Sequence, residues 1–93
     1  MVFLLFAAKL ALKILGMTKQ LTLYSTSHCH LCELAQALLL PMVGKFTLEI
    51  IDIAEDEALL AQYGTRIPVL HRQDSKAELN WPFAAGDIQD FLE

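Results

Sequence analysis

The sequence has little of what would place it in several large classes of protein. It holds two cysteines in 93 residues, Cys29 and Cys32. That is too few for the multi-bridge framework of a small secreted domain. Basic residues are sparse, 7 Lys plus Arg against 11 Asp plus Glu. They form no stripe or cluster, so nucleic-acid binding is not expected. Charged residues make up only 19% of the chain and hydrophobic residues 55%, which excludes a disordered polymer. Repeats, linkers and low-complexity segments are lacking, and the length fits one small domain. No apolar run reaches the roughly 20 residues of a membrane span. The nearest, MVFLLFAAKLALKILG from Met1 to Gly16, is broken by Lys9 and Lys13. It lacks a basic region ahead of its apolar part and a small-residue cleavage site, so it is a poor secretory signal. Three readings of it stand: an extension upstream of a start at Met17, an extra helix on the domain, or an interfacial anchor with Lys9 and Lys13 on its polar face. Membrane association is not expected, and residues 1–16 are set apart from a domain at 17–93.

What is present reads as alternating strands and helices. Leu21–Tyr24 is a short apolar strand, and Glu33–Leu40 continues a helix that begins at the cysteines. Leu31, Leu34, Ala35 and Leu38 recur at i, i+3, i+4 and i+7, which predicts the buried face of that helix. Pro41 ends it and Gly44-Lys45 turns the chain. Phe46–Ile53 is β-branched and apolar, so it is read as a buried strand, central and parallel to the first. Glu55, Asp56 and Glu57 suit the first turn of a helix, where acids meet the positive dipole end. A metal site there has no clear partner. That helix runs to Tyr63, and Gly64 is expected in the left-handed closing position. Pro68 inside Thr65–Leu70 belongs at an edge, at a strand start or in a cis bond. His71–Lys76 is a polar turn with His71 on its surface, and Ala77–Trp81 is the returning strand. Gly86-Asp87 opens a last helix with Ile88, Phe91 and Leu92 inward. The order is β-α-β-α-β-β-α.

The chemistry concentrates in Ser25-Thr26-Ser27-His28-Cys29-His30-Leu31-Cys32. A cysteine at the first turn of a helix faces free N–H groups and the positive end of the dipole. Both stabilise a thiolate, so the Cys29 thiol is expected below its free value. Cys32, one turn on, can close a disulfide with it. An attacking thiolate and a second, resolving thiol are what thiol–disulfide exchange requires. His30, if protonated, would stabilise the thiolate further; otherwise it is an exposed loop residue. His28 is read as a loop spacer, and Tyr24 and Trp81 as core. Two rival readings use the same segment. His28, Cys29, His30 and Cys32 are four metal-ligand types in five residues, but zinc wants four tetrahedral ligands and no second CxxC supplies the rest. An iron–sulfur cluster shared by two copies is the other metal option. A redox-inert adaptor with core cysteines is a third class. No metal ligand is assigned.

CxxC at a helix start, this element order and a proline opening the third strand together resemble the thioredoxin superfamily, and within it the glutaredoxins. Leu21–Tyr24, Cys29-His30-Leu31-Cys32, Tyr63–Leu70 and Leu79–Phe83 resemble a group of small bacterial glutaredoxin-like proteins, over roughly Leu21 to Leu92. The resemblance implies an α/β, thioredoxin/glutaredoxin-like fold: a four-stranded mixed sheet flanked by helices. It implies Cys29 as nucleophile and Cys32 as resolving thiol. It also implies a cis Ile67–Pro68 bond against the cysteines, a strand-like contact between the Ile67 backbone and substrate, and Arg66 facing the groove, where it could hold a carboxylate. Glutaredoxins carry a Gly-Gly pair and an acid before the last helix to hold the γ-glutamyl end of glutathione. Only Gly86-Asp87 stands near that place here, after Ala84-Ala85. Thioredoxins carry tryptophan where His28 stands. The expectation is a cytoplasmic, monomeric dithiol–disulfide oxidoreductase without a bound cofactor. Its substrate would be a protein or low-molecular-weight disulfide, with glutathione a candidate co-substrate.

Overall fold

Strand β1 (Lys19–Ser25) alternates its side chains across a sheet, and both faces are covered. Leu21 and Leu23 point one way and Thr22 and Tyr24 the other, as a period of two requires. The computed structural model describes residues 19–42 and 44–93; the readings given above for residues 1–16 lie outside them. After β1 come α1 (His30–Leu39), β2 (Phe46–Asp52), α2 (Glu57–Tyr63), β3 (Val69–Arg72), β4 (Glu78–Asn80) and α3 (Ala85–Leu92). Single 3₁₀ turns at Leu40–Met42 and Ile53–Glu55 follow α1 and β2. The strands lie in the order β2-β1-β3-β4. β1 and β2 are parallel, while β3 is antiparallel to β1 and to β4. The sheet is therefore mixed and four-stranded with helices on both faces, the fold the sequence implied.

One face carries the larger core. Leu21, Leu23 and Leu70 of the sheet meet Ala35 and Leu39 of α1, Ile88 of α3, and Met42, Phe46 and Phe83. The opposite face is smaller. Tyr24 and Val69 meet Ile53, Tyr63, Leu59 and Ile67, around α2. Asp56 caps α2: its carboxylate accepts from the Ala58 and Leu59 N–H groups at 2.9 and 3.1 Å. The acids at 55–57 therefore serve a helix start. Among the described residues no helix is long and apolar enough to cross a membrane.

Three local expectations need correction. β2 is parallel to β1 but sits at the sheet edge, and Ile50 is 48% exposed. The buried stripe of α1 is Cys32, Ala35 and Leu39, not the one through Leu31 and Leu34, which are 44% and 42% exposed. Gly64 keeps a right-handed helical backbone at φ −54°. Its lack of a side chain serves closeness: a Cβ there would stand 2.5 Å from the Leu60 carbonyl oxygen. The third strand starts at Val69, after Pro68. The Ile67–Pro68 and Trp81–Pro82 bonds are both cis.

Candidate active site

The loop leaving β1 turns back through His28, whose φ of 59° is left-handed. Cys29 follows as the N-cap of α1 in extended backbone. Its Sγ accepts the Cys32 N–H at 3.2 Å, and its carbonyl accepts the Glu33 N–H at 3.1 Å. Cys29 and Cys32 form a disulfide with Cα atoms 5.2 Å apart. The two sulfurs are not equivalent. Cys29 is half-buried at the helix N-terminus, whereas Cys32 is 1% exposed. Reduced, Cys29 would keep both the backbone donor and the dipole end. The His30 ring faces solvent, 3.8 Å from Glu33, with both side chains exposed; such a pair contributes little.

Beside the disulfide lies a groove of about 370 Å³ lined by Leu31, Thr65, Arg66, Ile67, Asn80 and Trp81. It brings Arg66 and Ile67 to Leu31, one of the two residues between the cysteines. Pro68 behind them is buried. The Ile67 N–H is already taken, donating to the Tyr63 carbonyl at 3.1 Å. Gly86 and Asp87 lie in the first turn of α3 and are not among the lining residues of this groove. The Asp87 carboxylate accepts the Ala84 N–H at 2.8 Å, capping its own helix. Trp81 packs on the core as expected but also forms a wall of the groove.

Sequence reasoning missed the hub of this region, Glu78. Its carboxylate accepts from the Tyr63 hydroxyl at 2.6 Å and the Arg66 guanidinium at 2.7 Å. His71 Nδ1 lies 3.4 Å away, so His71 is a packed partner and not a surface turn residue. Tyr63 stacks on Tyr24 at 4.2 Å. Arg66 also donates to Asn80 Oδ1 at 2.9 Å and lies over the Tyr63 ring. Pairing of β3 with β4 sets this up, since Val69 and His71 face Asn80 and Glu78. The signal in the sequence is that β4 alternation, but nothing local names its partners.

Burial pushes the Glu78 carboxyl up, yet hydrogen bonds from Tyr63, Arg66 and His71 outweigh it and hold the carboxyl below its ordinary value. Burial, then Glu78, pushes the Tyr63 phenol up. On the surface, Arg72 holds Asp74 down to about 2. The signs follow. A depressed carboxyl stabilises the fold above its unfolded value, and that is lost as pH falls through the native value. For Glu78 the loss begins near the ordinary 4.5. For Tyr63 stability is lost as pH rises past the ordinary 10.0, because the unfolded phenol releases its proton first. Melting temperature should therefore fall on both flanks. In Glu78→Gln the acid-side fall should shrink; an unchanged acid limb would contradict this assignment.

Among the described residues no group of three or more His, Cys, Asp or Glu is placed to hold a metal ion. Cys29, Cys32 and their groove suit exchange between a dithiol and a disulfide. A family model described as Glutaredoxin-like domain (DUF836) matches residues 20–93. The chain belongs to this family. The glutaredoxin-like chain is similar to target protein XcR50 from X. campestris, with 38% identity, 77% of this chain and 93% of that one covered, and a TM-score of 0.69. It is similar to protein Ne2328 from Nitrosomonas europaea, with 33% identity, 82% and 93% covered, and a TM-score of 0.70. Thioredoxin O2 from Arabidopsis thaliana in its oxidised state shares the fold at 18% identity, 83% and 74% covered, and a TM-score of 0.54. A search of curated proteins found no match. Family, fold and the Cys29–Cys32 disulfide together support a thiol–disulfide redox role.

Proposed function

We propose that this glutaredoxin-like protein is a dithiol–disulfide oxidoreductase in which Cys29 attacks and Cys32 resolves. The observation that carries the reading is the asymmetry of the pair: a half-buried Sγ at a helix N-terminus receiving the Cys32 N–H, and a partner sulfur that is 1% exposed. In the first step the Cys29 thiolate attacks one sulfur of a substrate disulfide. A bond forms between Cys29 and that sulfur, and the other leaves as a thiolate that takes up a proton. In the second step Cys32 gives up its proton and attacks the Cys29 sulfur. The second substrate thiol is released, protonated, and the Cys29–Cys32 disulfide closes. The substrate gains two electrons and two protons, and the protein loses them. Substrate would lie over Ile67–Pro68, its backbone N–H donating to the Ile67 carbonyl, with His30 at the exposed approach. Gly86 and Asp87 are not among the residues lining the groove, and this reading routes no contact through them. A reducing, cytoplasmic setting and a monomeric state belong to the same reading.

Selective alkylation tests it. The reduced protein, given limiting iodoacetamide near neutral pH, should carry the label on Cys29 with Cys32 protected. The pH dependence should report a thiol below the free value of roughly 8.5. Equal labelling of both thiols, or a Cys29 value at the free one, would contradict the assignment.

A further inference from the structure

We propose that the groove beside the disulfide receives an uncharged, apolar stretch of a disulfide-bearing protein, and that Glu78 enforces this by keeping Arg66 from anionic ligands. The inference rests on the oxidoreductase reading and names its class of substrate. Three of the six lining residues, Leu31, Ile67 and Trp81, are apolar, and two, Thr65 and Asn80, are neutral. Leu34, one turn beyond Leu31, is 42% exposed and extends the apolar surface along α1.

Arg66 alone of the six carries charge, and its guanidinium is committed. It donates to Glu78 at 2.7 Å and Asn80 at 2.9 Å, reaches toward the Gln62 carbonyl at 3.5 Å and covers the Tyr63 ring. Glu78 is held from its other side by the Tyr63 hydroxyl and His71. Its side chain is 22% exposed. A ligand carboxylate drawing Arg66 away would leave that part-buried carboxylate without its guanidinium partner, which costs free energy. An anion entering the groove therefore meets a cation already neutralised, on a chain whose net charge is −4. An apolar segment meets leucine, isoleucine and tryptophan surface and disturbs no ion pair. Glu78 is a positioning residue: it acts through Arg66 and lies outside the lining of the groove.

The test compares two amide-capped peptide disulfides as oxidants of the reduced full chain, one with leucine on each side of its cysteine and one with aspartate. The leucine-flanked probe should react faster by about tenfold. The rate with the aspartate-flanked probe should stay level or rise as salt goes from about 0.01 M to about 1 M, where screening shortens from about 30 to about 3 Å. In Glu78→Gln, which keeps the side-chain shape and an acceptor for Tyr63, the preference should shrink about tenfold as the Arg66 charge is released. A faster aspartate-flanked probe, a rate that falls with salt, or a folded Glu78→Gln with unchanged preference would each overturn the inference. Should Glu78→Gln fail to fold, preference and salt response of the natural chain decide alone. No reaction with either probe would sink the oxidoreductase reading instead. The groove is then tested without chemistry, using serine analogues of the two peptides and the fluorescence of Trp81, the sole tryptophan. A change with the leucine peptide alone supports the groove assignment, and any other pattern overturns it.

Discussion

Cys29→Ser is expected to abolish disulfide reduction, by more than about a thousandfold, because serine at this place is a poor nucleophile toward sulfur and no other thiol can attack from the helix N-terminus. Loss of the fold would not be the cause. Serine is a favoured N-cap residue, so it keeps an acceptor for the Cys32 N–H that Cys29 Sγ now holds at 3.2 Å. Cys32→Ser should behave differently. Cys29 would still attack, but the mixed disulfide would persist because the resolving sulfur is gone. Mass spectrometry of Cys32→Ser after reaction with a peptide disulfide should show one covalent adduct on Cys29, stable until another thiol is added. The opposite pattern, with an active Cys29→Ser and an adduct on Cys32, would reverse the two roles.

Leu23→Ala should bring a large loss of stability, about 3 kcal/mol. Leu23 is fully buried at the middle of β1, opposite Ile50 of β2 and Leu70 of β3. It packs in the cluster with Ala35 and Leu39, the stripe that seats the cysteine-bearing helix α1. Removing its isobutyl group opens a cavity that strands paired on both sides cannot close. For a domain of this size each kcal/mol moves the melting temperature by about 4–8 °C, so a fall of at least about 12 °C is expected in a thermal melt. A fall of under about 4 °C would mean that this face of the sheet is less tightly packed than described.

The parts of the fold legible in the sequence are those set by near neighbours. Alternation in Leu21–Tyr24, the helix start at Cys29 and the acids leading into α2 each act within one turn or one strand. The CxxC motif is equally local, so the candidate site was visible at once. Other features depend on distant chain. Periodicity along α1 finds apolar stripes but does not say which is buried. Leu31, at the groove, and Leu34, one turn on, are apolar and exposed, while Cys32, Ala35 and Leu39 turn to the core. β2 reads as a buried central strand because Ile50 and Ile51 are apolar, yet strand order is decided by the crossovers, which leave β2 at the edge. The Glu78 hub joins residues 15 and 12 positions away in Tyr63 and Arg66. No spacing rule links them; the β3–β4 register does. Gly64 shows that a residue type can be anticipated for the wrong reason: the glycine ends α2, but through close approach to Leu60 and not through a left-handed φ.

The most direct measurement is a redox equilibration of the full chain. Protein stripped of metal is held in glutathione buffers of graded potential, then its thiols are trapped and counted by mass. The account predicts a single two-electron transition between the reduced protein and the Cys29–Cys32 disulfide, with a midpoint between roughly −270 and −120 mV, the range of working oxidoreductases. A pair that stays reduced, or stays oxidised, across the whole range would contradict it.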